Sequence, residues 1–188
     1  DDGDESANSF AFDSSNNVYV AGYFGSASMD FDPTVGVDTH TSNGDTDIFF
    51  TKINGDGSYG YTKTAGGGAG DVISAIGIDS ADNIYLGGYF FDVSVDFDSS
   101  GGIDTHTNNG SSDMFLTKIN ADGSYGYTKT VGGGGGEFIY SIKLDSADNI
   151  YLGGHFSTGS MDFDSSGGID THTNNGDTDI FFTKINAD

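Results

Sequence analysis

The chain has 188 residues, 31 of them glycine, with one proline and neither cysteine nor tryptophan, a length sufficient to bury a core. Its 29 acidic residues stand against six basic ones, all lysine, for a formal net charge of −23, which excludes recognition of a phosphate backbone by clustered Lys and Arg. Without cysteine there are no disulfides and no thiolate-held metals. No run of about 18 apolar residues marks a membrane-inserting helix, and no basic-then-apolar leader opens the sequence, as expected of a mature form or a piece of a longer chain.

The same text recurs three times at a spacing of 66 residues. Asp13-Ser14 returns as Asp79-Ser80 and Asp145-Ser146, and Thr51-Lys52-Ile53-Asn54 returns at 117–120 and 183–186. A fixed period marks a modular array in which one supersecondary unit is stacked on copies of itself. It also argues against catalysis, since near-copies do not single out one active site. The copies are placed at residues 1–66, 67–132 and 133–188.

Within the middle copy the pattern predicts four strands, at 74–78, 83–90, 113–119 and 124–130. Runs of β-branched and aromatic residues between Gly, Asp, Asn and Ser clusters carry that prediction. Residues 79–83 read as a tight hairpin turn with Asn83 available for a left-handed position, and 120–123 as a second hairpin turn. A long loop spans 92–112, and a glycine tract, 132–136, leads to the next copy. Four antiparallel strands per unit, with tight and long connections alternating, is the plan of a propeller blade.

The motif Asp-Ser-x-x-Asn-Val/Ile-Tyr-Val/Leu-x-Gly-Tyr/His-Phe, then Asp-Phe-Asp, then Asp-Ile/Met-Phe-x-x-Lys-Ile-Asn, resembles the SBBP-type β-propeller repeats, over all three copies. The resemblance implies an all-β fold of propeller blades in a secreted or surface protein, and no shared catalytic residues. Tyr61 and Tyr127 stand on the fourth strand where the resemblance implies Trp. The third copy ends after its third strand, so the expected architecture is an open arc of three blades, the last without its fourth strand. Such an arc exposes apolar faces unless further blades, a second copy or a polymer covers them.

Acidic residues gather in the long loops: Asp30, Asp32 and Asp38 in the first copy, Asp96, Asp98 and Asp104 in the second, Asp162, Asp164 and Asp170 in the third. Of the 29 acids 27 are Asp, the short carboxylate that caps turns and that also ligates Ca²⁺ through closely spaced oxygens. Both readings stand: turn caps, or turn caps plus a calcium site in each Asp-Phe-Asp loop. The EF-hand pattern is not met, because Lys118 and Lys52 occupy its first ligand position. His40, His106 and His172 are repeat-equivalent and are expected to bond locally, within Asp-Thr-His-Thr. Five of the six lysines recur with the repeat and are expected to offset Asp across strands. No nucleophile elbow, P-loop or zinc signature is present, and a sialidase is excluded by the absence of arginine. The expected protein is a non-enzymatic extracellular or cell-surface propeller, structural or adhesive, a homo-oligomer or polymer with calcium in its loops. The alternative is a multivalent glycan-binding propeller.

Overall fold

The structure, a computed structural model, describes residues 3–157, 159–164 and 168–187. The segment 165–167 of the repeated Asp-Ser-Ser-Gly-Gly stretch and the final Asp188 lie outside the described residues. No helix occurs among the described residues, and none is long and apolar enough to cross a membrane.

The first copy forms β1 (Glu5–Phe12), β2 (Val18–Phe24), β3 (Met29–Asp30), β4 (Thr39–His40), β5 (Asp47–Ile53) and β6 (Tyr59–Ala65). The second forms β7 (Asp71–Ile78), β8 (Ile84–Phe90), β9 (Ser94–Asp96), β10 (Thr105–Thr107), β11 (Asp113–Ile119) and β12 (Tyr125–Val131). The third forms β13 (Glu137–Leu144), β14 (Ile150–Phe156), β15 (Ser160–Asp162), β16 (Thr171–Thr173) and β17 (Asp179–Ile185). The main sheets are antiparallel, in the orders β1-β2-β5-β6, β7-β8-β11-β12 and β13-β14-β17. Each long loop carries a small hairpin of its own: β3 with β4, β9 with β10, β15 with β16.

Local chemistry explains the hairpin turns. Asp13 Oδ1 accepts the amides of Ser15 and Asn17, each at 2.9 Å, and Asp79 and Asp145 repeat the arrangement. The left-handed residue is the one before the final Asn: Asn16 at φ 61°, Asp82 at 64°, Asp148 at 60°. This corrects the expectation for Asn83, whose amide and side chain instead donate to Asp79. In the second turn Gly57 and Gly123 take φ 86° and 84°, which only glycine adopts at no steric cost.

First strands of successive sheets adjoin, β1 beside β7 and β7 beside β13. The sheets therefore stack face to face in propeller-like succession. Tyr19, Ala21, Ile48 and Phe50 of the first sheet pack against Ile73, Ile76, Ile84 and Leu86 of the second. The next seam repeats the plan, with Ala75, Tyr85, Met114 and Leu116 against Ile139, Ile142, Ile150 and Leu152. Each Ile, Leu, Phe or Met among them, once buried, contributes roughly 1.5–3 kcal/mol, so the seams hold the array together. Parallel bridges, Thr46 to Gly70 and Ser112 to Gly136, tie each third strand to the next sheet.

Candidate functional site

The Asp-Phe-Asp loops set their acids beside the small hairpins. β3 and β4, with their repeats, hold the central Phe against the sheet: Phe31 and Phe97 are buried, edge-on to Phe24 and Phe90. The flanking carboxylates then meet the loop backbone. Asp30 Oδ1 accepts the amides of Asp32 (3.0 Å) and Asp38 (2.9 Å). Asp96 does the same for Asp98 and Asp104, and Asp162 for Asp164 and Asp170. Asp32 and Asp98 cap the following turn through the amides of Thr34 and Ser100, both at 2.8 Å.

Asp38 and Asp104 are held by side chains. Asp38 accepts from the Tyr59 hydroxyl and lies 3.3 Å from His40 Nε2. Asp104 repeats this with Tyr125 and with His106, also 3.3 Å away. Burial works against both charges, yet the hydrogen bonds from tyrosine and histidine outweigh it and hold both carboxyls below the usual range. The other imidazole nitrogen meets Thr64 in the first copy and Thr130 in the second, both on the fourth strand. In the third copy His172 pairs with Asp170 at 3.0 Å, and both are exposed. Each histidine thus bonds within its own blade and stacks edge-on to its own Phe.

The nine loop acids expected as calcium ligands lie around three separate small hairpins. Among the described residues no three His, Cys, Asp or Glu side chains are grouped so as to hold a metal ion. The lysines meet the expectation in part: burial works against the Asp13 charge, and hydrogen bonds from Asn17 and Ser15 with the charge of Lys52 hold its carboxyl below the usual range. Among the described residues the ion pairs within 4.0 Å are the three His–Asp pairs, while Lys52, Lys118 and Lys184 lie over the rings of Tyr19, Tyr85 and Tyr151 at 5.5–5.8 Å. A cation held over a tyrosine face is attracted by the ring quadrupole.

Two acidic groups escaped sequence reasoning because their partners are a repeat away. Asp82 accepts from the Ser14 amide (2.8 Å) and hydroxyl (2.6 Å) of the preceding blade, and Asp148 accepts from Ser80 in the same way. The recurring Asp-Ser dipeptide was the available signal. At the opposite end of the sheets Asp47, Asp71 and Asp113 begin strands and are buried. Burial raises all three carboxyls, Asp71 to about 8 with further contributions from Asp92 and Asp47.

Over 197 aligned residues the chain is 26% identical to an uncharacterized WD repeat-containing protein, L264, of Acanthamoeba polyphaga mimivirus. The match covers 93% of this chain and 14% of that protein. The likeness suggests a β-propeller-type repeat family. No family model matches the chain. The stacked antiparallel sheets agree with propeller-like repeats, and neither finding assigns the chain to the SBBP group.

Proposed function

We propose that the chain is a non-catalytic propeller scaffold at the cell surface or outside the cell, which associates with further copies of itself through its blade faces. The observation that carries this reading is the equivalence of used and unused faces. Ile48, Phe50 and Tyr19 fill the first seam, and their counterparts in the third sheet are Ile180, Phe182 and Tyr151, of which Ile180 is 89% and Phe182 75% exposed. On the first sheet Phe10, counterpart of the buried Ile76, is 65% exposed. These are the two halves of a seam that the chain already builds twice, so a second copy docking head to tail would bury them in the same geometry. Calcium in the Asp-Phe-Asp loops belongs to the same proposal as a bridge between strongly acidic surfaces.

Particle mass measured by light scattering, in calcium and then in excess chelator, tests it. Growth in mass that Phe182→Asp abolishes supports docking through the blade face, and loss of mass in chelator supports calcium bridging. A monomer at every concentration would overturn the assembly and give these faces to further blades of a longer chain.

A glycan-binding reading rests on a different feature. At the seam of the second and third sheets Tyr89, Phe91, Phe138, Tyr140 and His155 form one aromatic group, with Tyr89 and Phe138 centroids 4.5 Å apart. The counterparts of Phe91, Phe138 and Tyr140 at the other seam are Gly25, Val72 and Ser74, so this surface breaks the repeat. Tyr140 is about half exposed, and such rings offer stacking faces beside hydroxyl groups. Retention on immobilised neutral glycans, lost in Tyr140→Ala, is the expected result.

A further inference from the structure

The first strand of every blade opens with an acid: Glu5, Asp71 and Glu137. In the first blade Glu5 receives the hydroxyl proton of Ser26. The counterpart of Ser26 in the second blade is Asp92, and the third-blade position, 158, lies outside the described residues. The second blade thus sets a carboxyl group where the first sets a hydroxyl donor.

The surroundings leave that pair nothing else to bond. Asp71 is fully buried. Its Oδ1 accepts the Phe91 amide at 3.3 Å, and Asp92 Oδ1 accepts the amides of Gly68 and Ala69 at 2.8 and 3.0 Å. The second oxygens, Asp71 Oδ2 and Asp92 Oδ2, are buried without an N–H or O–H donor from elsewhere in the chain. Asp47, at the start of β5, faces the pair from the first sheet with its own unpartnered Oδ1. Burial, Asp92 and Asp47 all oppose the charge of Asp71, and they outweigh the Phe91 amide, which favours it. The ion pairs among the described residues lie elsewhere. A fully buried carboxylate beside a second, partly buried one with no counter-charge is costly, and the pair relieves that cost by keeping one proton.

We propose that Asp71 keeps its carboxyl proton at neutral pH and donates it to Asp92, so that a single proton ties the start of β7 to the connection after β8 within the second blade, where the first blade's Asp47 faces them. In the folded chain Asp71 Oδ2–H plays toward Asp92 the part that Ser26 Oγ–H plays toward Glu5. Gly66 and Gly67 press on the same carboxyls, a Cβ at either falling 2.5 Å from Asp47 Oδ1 or 2.7 Å from Asp92 Oδ2, so the site has little room to rearrange once ionised. This end of the second blade is therefore tightest in acid and loosens as the proton leaves.

Because the folded-state affinity of Asp71 for its proton is raised, its contribution is fully present below the unfolded value of 3.8 and declines as pH rises towards about 8. The site alone changes the folding constant by up to roughly tenfold per pH unit across that window. The experiment is urea unfolding of the full chain between pH 5 and 9 for wild type, Asp71→Asn and Asp92→Ser. Asp71→Asn keeps a donor to Asp92 at every pH, and Asp92→Ser copies the first blade. Both are expected to flatten the decline by the share that Asp71 supplies, the remainder belonging to Asp47 and Asp113. A pH slope in Asp71→Asn equal to that of wild type overturns the proposal. So does calcium that stabilises wild type at pH 7.5 and not Asp71→Asn, which would give these oxygens to a cation. Should the variants fail to fold, the infrared spectrum of wild type decides. A protonated-carboxyl band at pH 7 that fades as pH passes 8 is expected, and its absence refutes the shared proton.

Discussion

Gly88→Ala tests the geometry of the blade where it is tightest. β7 is bulged between Ile73 and Ala75 opposite β8, which brings the Val72 carbonyl over Gly88. A Cβ there would lie 1.8 Å from the Val72 oxygen, 2.9 Å from its carbon and 3.0 Å from Ile73 Cα. An ordinary carbon–oxygen contact is about 3.3 Å, so β7 must retreat by about 1.5 Å or lose ladder hydrogen bonds. The obstacle is backbone and cannot rotate away. Overpacking of this kind costs about 3 kcal/mol, or a fall of roughly 6–12 °C in Tm for a chain of this size. Gly134→Ala is the control, since nothing lies within 4 Å of its Cβ position, and it should stay within about 0.5 kcal/mol of wild type. Thermal and urea unfolding followed by far-ultraviolet circular dichroism would measure both. A Gly88→Ala protein melting within about 2 °C of wild type would refute the close approach, and with it the reason glycine recurs at Gly22 and Gly154, where the same 1.8 Å contact is repeated.

Asp82→Gly should lose about 1 kcal/mol by removing the acceptor of both Ser14 hydrogen bonds, and Asp82→Ala about 1 kcal/mol more for a left-handed alanine; equal costs in urea unfolding would deny that partition. Thr117→Val removes one half of a buried hydroxyl pair, 2.8 Å from Thr128, and should cost about 1 kcal/mol, with a double-mutant cycle against Thr128→Val showing coupling. The depressed Asp104 carboxyl contributes stability that is present above the unfolded value of 3.8 and lost as pH falls through its folded value. Tyr125→Phe should therefore destabilise the chain near neutrality and leave it closer to wild type in strong acid, as read from unfolding midpoints across that range. A constant gap at all pH values would show that Tyr125 acts by packing alone.

Much of the fold was legible because its signals are local. Asp79 and Asn83 specify a turn through bonds spanning four residues, and Gly57 and Gly123 sit where a left-handed residue is needed. Runs of β-branched and aromatic residues between turn clusters place the strands for the same reason. The loop acids were legible as residues but not as chemistry. Whether Asp30 reaches a cation or the amide of Asp38 depends on how residues 31–37 fold back, and that in turn depends on Phe31 entering the sheet. The lysines likewise had acids close in sequence, yet Lys52 and Lys118 lie over the tyrosines of the neighbouring strand.

The sequence by itself determined the period, the strands, the tight turns and the acidity, since each depends on residues a few positions apart or on composition alone. Tertiary structure decided which carboxyls meet. Ser14 and Asp82 are 68 residues apart, and Asp47 opens β5 of the first sheet, Asp71 opens β7 of the second and Asp92 lies in the connection after β8. The stacking of one blade on the next brings Ser14 to Asp82 at the surface, and it removes water from Asp71, where burial raises the carboxyl.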